Sequence, residues 1–116
     1  MVKNNKYRTI IFYKHYFEDF FILQRQKVKD KIIWTIELIE DLQIVPETYL
    51  KHIESTNGLY EIRIQQGSDA FRLFCFFDEG KLVVITNGFQ KKTQKTPQLE
   101  LKKALKIKTE YENEKE

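Results

Sequence analysis

Three short stretches carry side chains that can do chemistry on an anion. Arg63 lies in "LYEIRI", Arg72 in "AFRLFCFF", and "NGFQKKTQKTP" (87–97) brings Lys91, Lys92 and Lys95 with no acid. A guanidinium presents a planar fork that takes two phosphate oxygens at once, and an ammonium adds a point charge. Together they can hold a phosphodiester and stabilise the extra charge of a pentavalent transition state. In RNA the neighbouring 2′-hydroxyl supplies the nucleophile, so a metal is not strictly required. What the protein must add is a base, an acid and orientation. Lysine serves as a base only where burial or nearby cations lower its pKa, and a dense lysine–arginine cluster is such a place. Phe89 is either a stacking face for a nucleobase or a core aromatic at a strand end. Gln90 offers donors and an acceptor without a specific signal.

Other chemistries find little footing. His15 and His52 are isolated, and no Cys, His or Asp spacing resembles a metal site. Ser55 and Ser68 fall in turns with no base placed beside them. Cys75 alternates with Leu73 and Phe77 in an apolar strand and reads as an inert core thiol. Gly58, Gly67, Gly80 and Gly88 fall at turns or strand ends, in no phosphate-loop or dinucleotide pattern.

The elements that must position the cations can be read from periodicity. "YRTIIFY" (7–13) is β-branched and aromatic and predicts a strand. Phe17, Phe20, Phe21 and Leu23 predict one helical stripe, and Ile32, Ile36 and Ile39 a second, widened by Trp34, Leu38 and Leu42. The polar interval "QRQKVKDK" between them predicts an antiparallel helical hairpin. Pro46 ends it, and a short helical turn is expected over Tyr49 to Ile53. "LYEIRI" alternates strictly, with Tyr60, Ile62 and Ile64 on one side and Glu61, Arg63 and Gln65 on the other. "QGSD" and "DEG" are turns that separate it from "AFRLFCFF" and "KLVVITN". Thr96 reads as an N-cap with Pro97 in the first helical position, ahead of a helix with an apolar stripe at Leu101, Ala104 and Leu105.

Turn geometry then brings the cations together. If "QGSD" closes with Gln65 opposite Ala70, Arg63 sits directly opposite Arg72. Two like charges in that relation repel, unless solvent or an anion separates them. If "DEG" pairs Phe77 with Lys81, Arg72 faces Thr86, and a two-residue loop would make that Asn87. Either register brings "GFQKK" beside the arginines.

The 116-residue chain suits one domain, 1–116, of a size that buries roughly 65% of its unfolded surface. Charged residues at 32% and a mean hydropathy of −0.53 describe a soluble protein. One cysteine permits no internal disulfide, which suits a reducing compartment. No apolar run reaches the ~20 residues of a membrane helix, and the N-terminus lacks a leader pattern. The expectation is a cytoplasmic protein without a membrane association. The net charge of +3 hides a strong asymmetry. Residues 89–108 hold seven lysines against Glu100 alone, and residues 109–116 return four acids against one lysine.

"GLYEIRI", "FRLFCFFDEGKLVVITNGFQKKTQKTP" and "ELKKALKIKTEY", with "IIWTIELIEDLQIVPETYLKHI" before them, resemble the phage-derived, HigB-like branch of the RelE/ParE toxin superfamily. The resemblance covers about residues 7–112. It implies an α+β fold, with an N-terminal strand and helical hairpin packed on an antiparallel β-sheet and a C-terminal helix. It implies the toxin of a type II toxin–antitoxin system, neutralised by a helix-turn-helix antitoxin. Related toxins enter the ribosomal A site and cut mRNA there through the 2′-hydroxyl, with no metal or other cofactor. Carried over by position, the catalytic residues are Arg63, Arg72 and Lys91, where Lys92 is the alternative to Lys91. Phe89, Gln90, Lys92 and Lys95 would touch RNA, and Lys102, Lys103, Lys106 and Lys108 would face ribosomal RNA or an acidic antitoxin. Many HigB-like toxins carry His or Tyr near the end of the last strand, where this chain has Gln90, Lys91, Lys92 and Thr93. Superfamily members that poison DNA gyrase, or a basic RNA-binding module without toxicity, are the alternatives.

Overall fold

The computed structural model describes residues 6–115. Met1 to Asn5, part of the stretch read above as leaderless, lie outside the described residues. The elements are β1 (Thr9–Phe12), α1 (Tyr16–Phe21), α2 (Gln26–Asp41), β2 (Leu50–His52), β3 (Leu59–Gln66), β4 (Asp69–Asp78), β5 (Leu82–Lys91) and α3 (Gln98–Lys115). They form an α+β fold with one five-stranded sheet in the order β1-β5-β4-β3-β2. The meander β3 to β5 is antiparallel, as expected, β2 extends it antiparallel to β3, and β1 joins it parallel to β5.

Each face of the sheet carries its own core. On one, Phe17 of α1 and Val28, Ile32 and Ile39 of α2 pack on Ile62, Ile64, Phe71, Leu73 and Ile85. The polar joint "QRQK" explains why α1 is only six residues long. Gln24 donates back to the Phe20 carbonyl (3.0 Å) and the chain turns there. Leu23 falls in that turn and is exposed, not part of the stripe. Trp34 and Leu42 are also exposed, because the buried line of α2 runs through Val28, Ile32, Thr35 and Ile39. On the other face α3 sets Ala104 and Leu101 against Leu59, Phe74, Phe76 and Val84. Cys75 lies in the first core, fully buried, and burial pushes its thiol pKa up.

Polar contacts fix the helices. The C-terminal carbonyls of α2 are taken by Arg8, whose guanidinium donates to Ile39, Leu42 and Gln43 oxygens at 3.1, 2.6 and 2.9 Å. Glu40 accepts from the outward amide of Ile10 (3.1 Å), which occupies one unpaired donor on the β1 edge. Two acids of the C-terminal segment, Glu110 and Glu114, clasp α3 to the turn after β1. Lys14 sits 2.6 Å from Glu110 and 2.7 Å from Glu114, and Tyr16 donates to Glu110 at 2.7 Å. Tyr111 and Lys115 both reach Asp78.

Three expectations need correction. Residues 50–52 are a strand, not a helical turn, because their backbone pairs with Ile62, Glu61 and Tyr60 of β3. Strand β5 runs on past "KLVVITN" through "GFQK" to Lys91, so the first half of "NGFQKKTQKTP" is sheet. Helix α3 starts at Gln98, and the Pro97 carbonyl accepts its first bond, from Leu101 (3.1 Å).

Gly88 lies where β5 passes under α1. A Cβ there would stand 2.7 Å from Phe20 Cδ2 and 2.8 Å from Leu73 Cδ2. Gly88→Ala is therefore expected to lower stability by about 1–3 kcal/mol in urea denaturation. A loss under about 0.5 kcal/mol would mean that α1 does not press on the sheet at this point.

Candidate anion-binding site

The β3–β4 hairpin has the expected register, Gln65 opposite Ala70, but closes one pair later with Gln66 opposite Asp69, and Arg63 pairs directly with Arg72. Both project from the α3 face of the sheet, since they alternate with the helix-hairpin residues Ile62, Ile64, Phe71 and Leu73. Two guanidiniums so placed repel. Between them lies Glu61, two residues before Arg63 on β3. Its Oε2 is 3.4 Å from Arg63 Nε and 3.7 Å from Arg72 Nε. Glu61 is 7% exposed and Arg72 8%. One carboxylate thus serves two cations.

Arg72 is not fully satisfied by this arrangement. Its Nη1 donates to the Phe71 carbonyl at 3.0 Å, but its buried Nε has no hydrogen-bond partner among the described residues. At 3.7 Å the contact with Glu61 is an ion pair too long for a hydrogen bond. Burial and, less strongly, Arg63 lower the Arg72 pKa, and Glu61 opposes them. A buried cationic donor without an acceptor is a strong attractor for an oxyanion.

Lys91 reaches the same face through an irregularity in β5. Near the β4–β5 turn Cys75 pairs with Ile85, whereas farther along Leu73 pairs with Gly88 and Arg72 with Phe89. Thr86 and Asn87 therefore both lie opposite Phe74, a β-bulge. The turn itself pairs Asp78 with Leu82. The predicted pairing of Arg72 with Thr86 or Asn87 is thus corrected by the turn and by the extra residue. The bulge is held from two sides. Thr86 shares its hydroxyl proton between the Phe74 carbonyl (3.2 Å) and Asn87 Oδ1 (2.8 Å). Asn87 Nδ2 donates to the carbonyl and to Oε1 of Glu100 in the first turn of α3 (3.3 and 3.1 Å). Because side chains alternate with period two, one inserted residue exchanges the faces of all that follow. Phe89 and Lys91 consequently share the face of Arg72. Without the bulge they would point at the helical hairpin.

Of the other sequence-predicted residues, Phe89 is only 7% exposed and packs on Phe74 with ring centroids 5.3 Å apart. It is core, not a free stacking face. Gln90, next in the alternation, is exposed on the opposite face. Lys92 and Lys95 are exposed on the loop that leads to α3, where the Lys95 carbonyl accepts from the Thr93 hydroxyl (3.0 Å). Lys102, Lys103 and Lys106 are exposed on α3. Lys108 is not available, since it pairs with Glu112 at 3.0 Å and lies over the Phe76 ring.

A cleft of about 430 Å³ opens at the arginines, lined by Lys31, Thr48, Tyr49, Arg63, Gln65 and Arg72. On the far flank Lys51, Glu61 and Thr96 line a second cleft of about 350 Å³. Glu61 and Tyr49 were not singled out by sequence. Alternation did put Glu61 on the Arg63 face, but nothing in the pattern marked it as buried. Among the described residues no group of three or more His, Cys, Asp or Glu side chains is placed to hold a metal ion. No helix among them is long and apolar enough to cross a membrane.

The electrostatics of Lys91 can be measured. Desolvation, then Arg72, lowers its pKa, Glu61 opposes this, and Arg63 and Lys51 add to it. Its ammonium should therefore lose its proton below the ordinary lysine value of 10.5 in a ¹³C side-chain NMR titration. Glu61→Gln removes the stabilising charge and should move the midpoint lower. Arg72→Ala removes a repelling one and should move it higher. An ordinary midpoint in all three proteins would contradict the arrangement.

No curated protein matches the chain. The family model described as "Phage derived protein Gp49-like (DUF891)" matches residues 19–109, from α1 to the last third of α3. That span contains Arg63, Arg72, Glu61, Lys91 and the bulge. This family is RelE/toxin-like and is associated with the toxins of toxin–antitoxin systems, which implies an antitoxin partner. With more than three quarters of its length matched, the chain belongs to the phage-derived Gp49-like family.

Proposed function

We propose that this protein is the toxin of a type II system, of the HigB-like branch, and that it cuts mRNA in the ribosomal A site. The observation that carries this reading is the pair Arg63–Arg72. Two guanidiniums stand opposite each other around one buried carboxylate, and among the described residues Arg72 Nε is left without an acceptor. A scissile phosphodiester supplies the missing oxygens. In the reaction the 2′-oxygen bonds to phosphorus and the bond to the 5′-oxygen breaks, which leaves a 2′,3′-cyclic phosphate and a 5′-hydroxyl. One proton leaves the 2′-hydroxyl and one reaches the 5′-oxygen. Arg63 and Arg72 hold the phosphate and neutralise the charge that builds on it. Lys91, with its lowered pKa, adds charge as the ammonium or moves a proton through the amine. Lys92 and Lys95 lie on the path of the RNA backbone, and the exposed lysines of α3 face ribosomal RNA or a helix-turn-helix antitoxin of acidic surface.

The test is primer extension on cellular mRNA after induction. Wild type should give codon-linked cuts and growth arrest. Arg72→Ala should reduce cutting by about two to three orders of magnitude, the usual cost of one transition-state donor, with the fold intact by circular dichroism. Growth arrest with intact mRNA and blocked replication would overturn the endonuclease reading in favour of a gyrase poison. Undiminished toxicity of Arg72→Ala would remove the arginine pair from the mechanism.

A further inference from the structure

With Phe89 in the core, the arginine cleft needs another aromatic surface if it is to hold a nucleotide by more than its phosphate. One adjoins it. Trp34, the chain's one tryptophan, is 44% exposed on α2. The Tyr49 ring meets it edge-on at 5.7 Å between centroids, and the Lys31 ammonium lies 4.3 Å from its ring centre. Tyr49 also lines the cleft of Arg63 and Arg72, and its carbonyl accepts the Arg63 amide at 2.9 Å. The aromatic pair is thus fixed in relation to the arginines through one backbone hydrogen bond.

The chain's topology leaves room beside it. β2 pairs with β3 only from Tyr60 to Ile62, so the edge of β3 from Arg63 to Gln66 is not covered by β2. A further depression of about 420 Å³ continues along that edge, walled by Lys27, Lys31, Trp34 and Gln66, together with Asp30. Asp30 accepts from Gln26 Nε2 at 2.8 Å. Lys31 belongs to both hollows. Lys27, Lys31 and Trp34 follow one another at helical spacings of four and three, so one side of α2 presents two ammonium groups and an indole. Stacking faces interleaved with cations along a furrow are what single-stranded nucleic acid requires.

We infer that this furrow is a subsite for an unpaired nucleotide adjoining the phosphate held by Arg63 and Arg72. Its base packs on Trp34 and Tyr49, and its phosphate lies on Lys31 and Lys27. The inference rests on the RNA reading of the arginine site for the class of ligand, and it names a different surface.

Because Trp34 is the only tryptophan, its fluorescence reports on the subsite alone. The probe is a 2′-O-methyl trinucleotide, which lacks the attacking hydroxyl and survives. Wild type should show a saturable change in emission. Tyr49→Ala and Lys31→Ala should each raise the midpoint, by about tenfold where a stacking contact is lost, with unchanged circular dichroism. In single-codon cleavage on ribosomes, Trp34→Leu should raise KM by about tenfold and leave kcat nearly unchanged. No emission change, or one that Tyr49→Ala leaves untouched, overturns the subsite, as does a response to the antitoxin but not to the trinucleotide. Cleavage by wild type with unchanged KM in Trp34→Leu overturns the subsite while the endonuclease reading stands. Trinucleotide binding at Trp34 without mRNA cleavage supports the subsite while that reading falls.

Discussion

Two arginines facing each other across a pair of strands are the constraint around which this molecule is arranged. Directly opposed like charges destabilise a sheet, and here one of them is nearly buried as well. Glu61 makes the arrangement tenable by standing within ion-pair distance of both guanidiniums on the same face. It offers one carboxylate to two cations, and Arg72 Nε is left over. A site that is folded yet short of negative charge binds an anion without first having to reorganise, which is what preorganised electrostatic stabilisation requires.

The rest of the fold serves to hold that shortage in place. The hairpin turn sets the arginine pair, and the β5 bulge sets Lys91 beside it. Asn87 ties the bulge to the first turn of α3 through Glu100, the one acid in an otherwise lysine-rich stretch. That acid is therefore structural. The reversal of charge at the C-terminus has a similar cause. Glu110 and Glu114 clasp Lys14, while Lys115 and Tyr111 hold Asp78. The end of α3 is pinned, and the lysines that face outward lie nearer its start.

The sequence made the arginine pair legible because strict alternation and a short turn leave few registers open. Gln65 opposite Ala70 follows from "QGSD", and Arg63 opposite Arg72 follows from that. The face of Lys91 was not legible. It depends on one inserted residue at Thr86–Asn87, and the bulge is stabilised by a contact with α3 that no local pattern encodes. Of the two readings open for Phe89, stacking face or core aromatic, its packing on Phe74 selects the core, and the bulge decides only which core it joins. The strand at Leu50–His52 escaped notice because three residues are too few to show a period, and tertiary pairing with β3 decided them. The spacing of Trp34 from Leu38 and Leu42 predicts a place on the apolar face of α2. The buried line of α2 runs elsewhere, through residues that include a threonine, Thr35, which donates to the Lys31 carbonyl (2.7 Å).

The account turns on Arg63, Arg72 and Lys91 acting as one anion receptor. The most direct measurement is an NMR titration that follows the arginine Nε–Hε and lysine Cε signals while a non-cleavable dinucleotide is added. The account predicts that Arg63, Arg72 and Lys91 shift together with one midpoint, and that Arg72 Nε–Hε moves downfield as it gains an acceptor. Shifts confined to the α3 lysines, with both arginine signals unmoved, would contradict it.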